Sequence, residues 1–147
     1  MVAIVDHGRP ARAIHPLHAV LLAASLPLFL GGLLCDFAYF RSFEIQWSHF
    51  ASWLIAGGMV FASVSLLWAF IDLFRAGRRR GRGLVYFVLL LITVALGLVN
   101  AFVHARDAWG TMPEGLILSA AVAVTAILAT WFGFSSLRIG ARMGETR

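Results

Sequence analysis

Six side chains in this sequence could do chemistry, and they fall into two sets: His15, His18 and Asp72 in one, Asp36, Asn100 and His104 in the other. Each set offers a carboxylate to an imidazole. That pairing can pass a proton, hold a metal together with a further ligand, or fasten two helices to each other. His15 and His18 are spaced i, i+3 around Pro16, so a helix that starts at Pro16 can turn both toward one side. A metal would need a third nitrogen or carboxylate ligand, and no spacing in the chain fixes one. Haem b would need two imidazoles at similar depth on facing helices. His49 and His104 share a depth, but His49 stands about 180° around its helix from the small-residue face that includes Gly58. It is expected to point at headgroups, and His7 to be a solvated tail residue.

Other chemistry is missing from the sequence. It has no phosphate-cradling Gly-rich loop, no Cys-x-x-Cys, and no nucleophile with an evident base. The single cysteine, Cys35, cannot close an internal disulfide. It follows Gly32, Leu33 and Leu34, where a lipidation signal would want a small residue immediately before the cysteine. No enzyme is expected.

The elements that position the six side chains follow from composition. Of 147 residues, 61% are hydrophobic and 13% charged, whereas a soluble domain has about 25% charged. The chain reads as an integral membrane protein. Four stretches, 17–40, 50–74, 84–104 and 115–137, are long enough to cross about 30 Å of hydrocarbon as helices. A backbone in lipid must satisfy its hydrogen bonds within the segment, so the expected fold is all-α, a four-helix transmembrane bundle forming a single domain over 1–147. Residues 1–14 and the following apolar run resemble a signal peptide with a basic start. The run continues to Phe40 without an Ala-x-Ala site, so it is read as a retained span.

Each span carries a stripe of small or polar residues at about 100° per residue. His18, Ser25, Gly32 and Asp36 mark the first, with His15 beside them; Gly58, Ala62, Ser65, Ala69 and Asp72 mark the second. Thr93, Gly97, Asn100 and His104 mark the third, and Ser119, Ala123, Ala126, Thr130 and Gly133 the fourth. Small and hydroxyl residues let membrane helices approach and hydrogen-bond, so the four stripes are expected to line one interior. Depth then predicts His18 or His15 near Asp72 toward the cytoplasm, and His104 near Asp36 on the outer side.

All twelve basic residues are Arg. Five of them, Arg75, Arg78, Arg79, Arg80 and Arg82, fall in the break between the second and third spans, and Arg9, Arg12, Arg138, Arg142 and Arg147 lie near the two ends. Arg41 and Arg106 sit in the other two breaks. Ten against two is a strong positive-inside bias, which predicts a bacterial inner-membrane protein with both termini cytoplasmic. The net charge of +5 therefore speaks of topology and anionic headgroups, not of nucleic acid. Tyr39, Phe40, Trp47, Trp53 and Trp109 are expected to form an interfacial belt on the outer side.

The chain resembles the bacterial domain-of-unknown-function family 2231, small predicted membrane proteins with four spans. The likeness runs over almost the whole chain. It rests on His15-Pro16-Leu17-His18, then Phe29-Leu30-Gly31 and Asp36, then Trp53-Leu54-Ile55-Ala56-Gly57-Gly58, Ile71-Asp72 and Trp131-Phe132-Gly133. Ala23 and Ser25 stand where that family often has prolines, and Val85-Tyr86 where it often has a histidine. The resemblance implies no established activity; relatives joined to iron–sulfur or dehydrogenase modules imply a redox setting. The expectation is a non-enzymatic subunit or anchor for a membrane or redox partner, in the lipid bilayer, with no cofactor. A haem b electron carrier and a small transporter or proton-conducting unit, the latter as a homo-oligomer, are the alternatives.

Overall fold

The computed structural model describes residues 15–75, 81–106 and 110–145. They form four helices, α1 (Pro16–Ser42), α2 (Ile45–Arg75), α3 (Gly81–His104) and α4 (Glu114–Glu145), with no strand among the described residues. All four are long and apolar enough to cross a membrane, and the chain is a multi-pass membrane protein. At 1.5 Å per residue the 27 residues of α1 reach about 40 Å, enough to pass through the hydrocarbon and into both headgroup layers.

The helix ends are set locally. Pro16 begins α1, where its missing N–H removes no bond, and the His15 Nδ1 accepts from the Leu17 N–H at 3.3 Å. At the other end Phe43 takes the left-handed conformation, φ 56°, and donates its N–H to the Tyr39 carbonyl at 2.7 Å. This closes the helix and turns the chain so tightly that α2 starts at Ile45, two residues on. Glu114 in the first turn of α4 suits the positive end of the helix dipole.

Packing follows the chain. Each helix lies against its two neighbours in a closed ring, α1 on α2 and α4, α3 on α2 and α4. Gly32 meets Ile55, Phe29 meets Gly58 and Leu28 meets Gly57, so rising numbers on α1 face falling numbers on α2 and the two run antiparallel. Across the diagonal, His18 meets Tyr86 and Asp36 meets His104, both rising, so α1 and α3 are parallel. One end of the bundle thus carries the α1–α2 and α3–α4 connections, here the loop end. The opposite, terminal end carries the start of α1 and the α2–α3 connection.

Burial on α1 falls on His18, Leu22, Ser25, Phe29, Gly32, Asp36 and Tyr39, and on α2 on Ser48, Ala51, Ile55, Gly58, Ala62, Ser65 and Ala69. Alternating steps of three and four give a period of 3.5 residues, which keeps one seam facing inward along the whole helix. Between the ends the interior is built on two apolar layers, one of Leu22, Ala69, Leu90 and Ala129 and another of Phe29, Ala62, Val122 and Ala126, with the hydroxyls of Ser25, Ser65 and Thr93 buried among them. The large side chains Leu34, Trp53, Phe74, Phe102 and Trp131 face outward. With small and polar residues inside and bulky apolar ones outside, the bundle presents an oily surface to lipid.

Candidate functional site: two polar clusters at the ends of the bundle

At the loop end, Asp36 of α1, Asn100 and His104 of α3, and Ser119 of α4 are buried together. The His104 Nε2 lies 2.8 Å from the Asp36 Oδ1, and its Nδ1 lies 3.0 Å from the Asn100 backbone oxygen. The Ser119 hydroxyl donates to the Asp36 Oδ2, and the Asn100 Nδ2 donates to the Ser119 Oγ at 2.8 Å. The bonds form a ring that leaves Asn100 by its side chain and returns to its own carbonyl. An amide N–H can only donate and a carbonyl can only accept, so the bonds at both ends of the ring have a fixed direction. The His104 Nδ1 must carry hydrogen, and the Nε2 then faces Asp36.

Each member of the ring is placed by its helix. Asn100 and His104 are i, i+4 on α3, which stacks the imidazole over the carbonyl of the preceding turn. Ser119 is one turn beyond Gly115, where an added Cβ would stand 3.1 Å from the His104 Cε1. A side chain at 115 would crowd both the Thr111 methyl, 2.8 Å away, and the imidazole. The Asn100 Oδ1 is buried without a hydrogen-bond partner.

At the terminal end the expected residues gather only in part. His18 is buried and its Nε2 lies 2.8 Å from the Tyr86 Oη of α3. The Trp68 ring of α2 packs 5.7 Å from the His18 ring and 5.2 Å from the His15 ring, centre to centre. Asp72 is exposed, and among the described residues no hydrogen bond or ion pair joins it to either imidazole, but its charge acts on both His18 and Tyr86, so it stands near His18 as expected without touching it. His15 is exposed as well, because its ring caps α1 instead of entering the seam. The stripe on α2 ends inward at Ala69, and Asp72, one turn from the helix end, reaches the aqueous boundary instead.

Tyr86 is the one side-chain hydrogen-bond partner in these clusters that stands outside the four stripes. It lies seven residues before Thr93 and eighteen before His104, on the same face of α3, so extending the stripe by two turns finds it. Ser119 stands in the stripe of its span, but no spacing matches its depth to Asp36. Of the expected belt, Trp47 and Trp53 are exposed, Tyr39 is buried, and Trp109 lies outside the described residues. Arg78, Arg79 and Arg80 also lie outside them.

The ligand chemistry open to these groups is narrow. No three His, Cys, Asp or Glu side chains among the described residues are grouped to hold a metal ion. His49 is exposed, and His104 has both ring nitrogens engaged, so they do not present a pair of axial imidazoles. Among the described histidines, only His18 keeps a buried nitrogen, Nδ1, without a hydrogen-bond partner.

No curated protein and no solved structure matches the chain. Residues 14–141 match the family described as "Predicted membrane protein (DUF2231)". That match takes in all four spans and both polar clusters, and the chain belongs to the DUF2231 family of predicted membrane proteins.

Proposed function

We propose that this chain is a non-enzymatic subunit or anchor for a partner protein in the bacterial inner membrane, in a redox system. What supports this reading most is where the buried polar groups direct their bonds. Asp36, His104, Ser119 and the Asn100 amide bind one another across three helices, and His18 binds Tyr86 across the bundle. Between these clusters Ser25 and Thr93 donate to carbonyls of their own helices, at Leu22 and Leu89. Side chains used in this way hold a scaffold in shape.

A groove of about 300 Å³ between α1 and α4, lined by Leu26, Ile127, Thr130, Trp131, Phe134 and Ser135, offers a partner helix a place to lie. The distribution of arginines supports the loop end facing outward and both termini facing the cytoplasm.

The test is purification in mild detergent followed by an absorption spectrum and reconstitution. The reading expects a colourless protein that co-purifies in fixed ratio with one membrane protein. A Soret band lost in His18→Ala would replace it with haem binding, for which the unpartnered His18 Nδ1 is the favouring observation. Liposome flux lost in both Asp36→Asn and Asp72→Asn would replace it with proton conduction.

A further inference from the structure

The ring at the loop end leaves one proton to assign. Because the Asn100 carbonyl requires hydrogen on the His104 Nδ1, a neutral imidazole presents a bare lone pair at Nε2, 2.8 Å from the Asp36 Oδ1. Two bare acceptors at that distance repel. A single proton between them makes a hydrogen bond whether it resides on nitrogen or oxygen, and the pair is electrically neutral either way. We propose that Asp36 and His104 form a proton-binding site, one exchangeable proton per chain, whose occupancy fastens α1 to α3 at the loop end.

Among the described residues, few other groups surround the pair. The Ser119 hydroxyl is already directed at the Asp36 Oδ2. Among the described residues, α1 adds Tyr39 three residues on and the half-buried Cys35 beside Asp36. The buried residues of α2 at this level, Ser48, Ala51 and Ile55, bring no titratable group, and His49 is exposed. Arg106 after α3 and Glu114 on α4 are exposed. A second proton would leave the imidazolium still donating to Oδ1, so acid keeps the contact. Loss of the only proton removes it. The clasp therefore opens in one direction, as pH rises, and proton access fits the position of His104 as the last residue of α3. This inference is independent of what the chain anchors.

The experiment places spin labels at Phe40→Cys and Ala105→Cys, two exposed positions at the loop end of α1 and after α3, in a Cys35→Ser background. Distances are measured in reconstituted protein from about pH 5 to about pH 10, a range that spans free carboxylate and imidazole titration and extends beyond it. A longer-distance component is expected to appear as pH rises. In D36N it should be absent at every pH, because an amide N–H donates permanently to the His104 Nε2 while the amide oxygen accepts from Ser119. H104Q, which donates permanently from the other side, makes the same comparison should D36N fail to fold. An unchanged distance in the parent protein, or the same opening in the amide variant, overturns the proposal. Neither result bears on co-purification or on the absorption spectrum.

Discussion

Asp36 on α1 hydrogen-bonds His104 on α3 across the diagonal of the bundle, and His18 and Tyr86 repeat that relationship eighteen residues earlier on both helices. Eighteen residues are five helical turns, so the two contacts lie on one face of each helix, about 27 Å apart along the axis. That is close to the thickness of the hydrocarbon, about 30 Å. The two parallel helices are thus joined near each membrane boundary, with the apolar layers around Leu22 and Phe29 between the joints. Polar contacts placed there avoid the depth at which an unpaired group costs most.

Removing one partner of the first joint should be measurable without being catastrophic. In a soluble core, breaking a buried ion pair costs about 3–5 kcal/mol. In a membrane the separated helices still find partners, and interhelical hydrogen bonds are worth about 0.6 to 1.7 kcal/mol. His104→Ala is therefore expected to lower stability by about 1–2 kcal/mol, read from reversible unfolding in mixed micelles. A loss beyond the soluble-core range would mean that the ring carries more than a helix contact.

The second joint should behave independently of the first. Tyr86→Phe keeps the ring that packs on His18 and removes only the hydroxyl, at an expected cost of about 1 kcal/mol. Combined with Asp36→Asn, its effect should add to within about 0.5 kcal/mol, since the sites are far apart and share no partner. A larger coupling energy would show that α1 and α3 move as one rigid pair.

Asp72 makes the contrasting case. It is exposed near the end of α2, so Asp72→Asn is expected to change stability by no more than about 0.5 kcal/mol. Unfolding of the same preparation, beside Asp36→Asn, checks this. Asp36 and Asp72 would then differ because Asp36 faces the seam and Asp72 does not.

The inward faces were legible in the sequence because membrane helices advertise them: Gly, Ser, Asn and Asp are too costly or too small for the lipid side. His18, Ser25, Gly32 and Asp36 are all buried on α1, as a 100° step requires. The approach of His104 to Asp36 was legible too, since depth and face both matched. Asp72 and His15 lie at the expected end but turn outward, for a shared reason. Near a helix end a side chain can reach water or cap the helix, and periodicity does not register that choice. Tyr86 escaped because a tyrosine at a membrane boundary reads as an interfacial residue, and only its partner on another helix distinguishes the two uses.

Two glycines test how closely the seam is packed, and the nearer contact should matter less. At Gly58 an added Cβ would stand 2.8 Å from the Phe29 Cε1, and Phe29 is buried within the layer that holds Ala62, Val122 and Ala126. A ring enclosed on that side cannot retreat, so Gly58→Ala must push α1 and α2 apart, at about 1–3 kcal/mol. At Gly97 the added Cβ would run into the Met59 thioether even more closely, but Met59 is an unbranched, partly buried chain that can turn aside. The better helix propensity of alanine, up to about 1 kcal/mol, then offsets most of the displacement at Gly97→Ala. Unfolding in mixed micelles should rank Gly58→Ala as clearly the more damaging change. The reverse order would mean that the α2–α3 contact around Met59 is the tighter one, and that the ring of four helices is closed more firmly there than along α1 and α2.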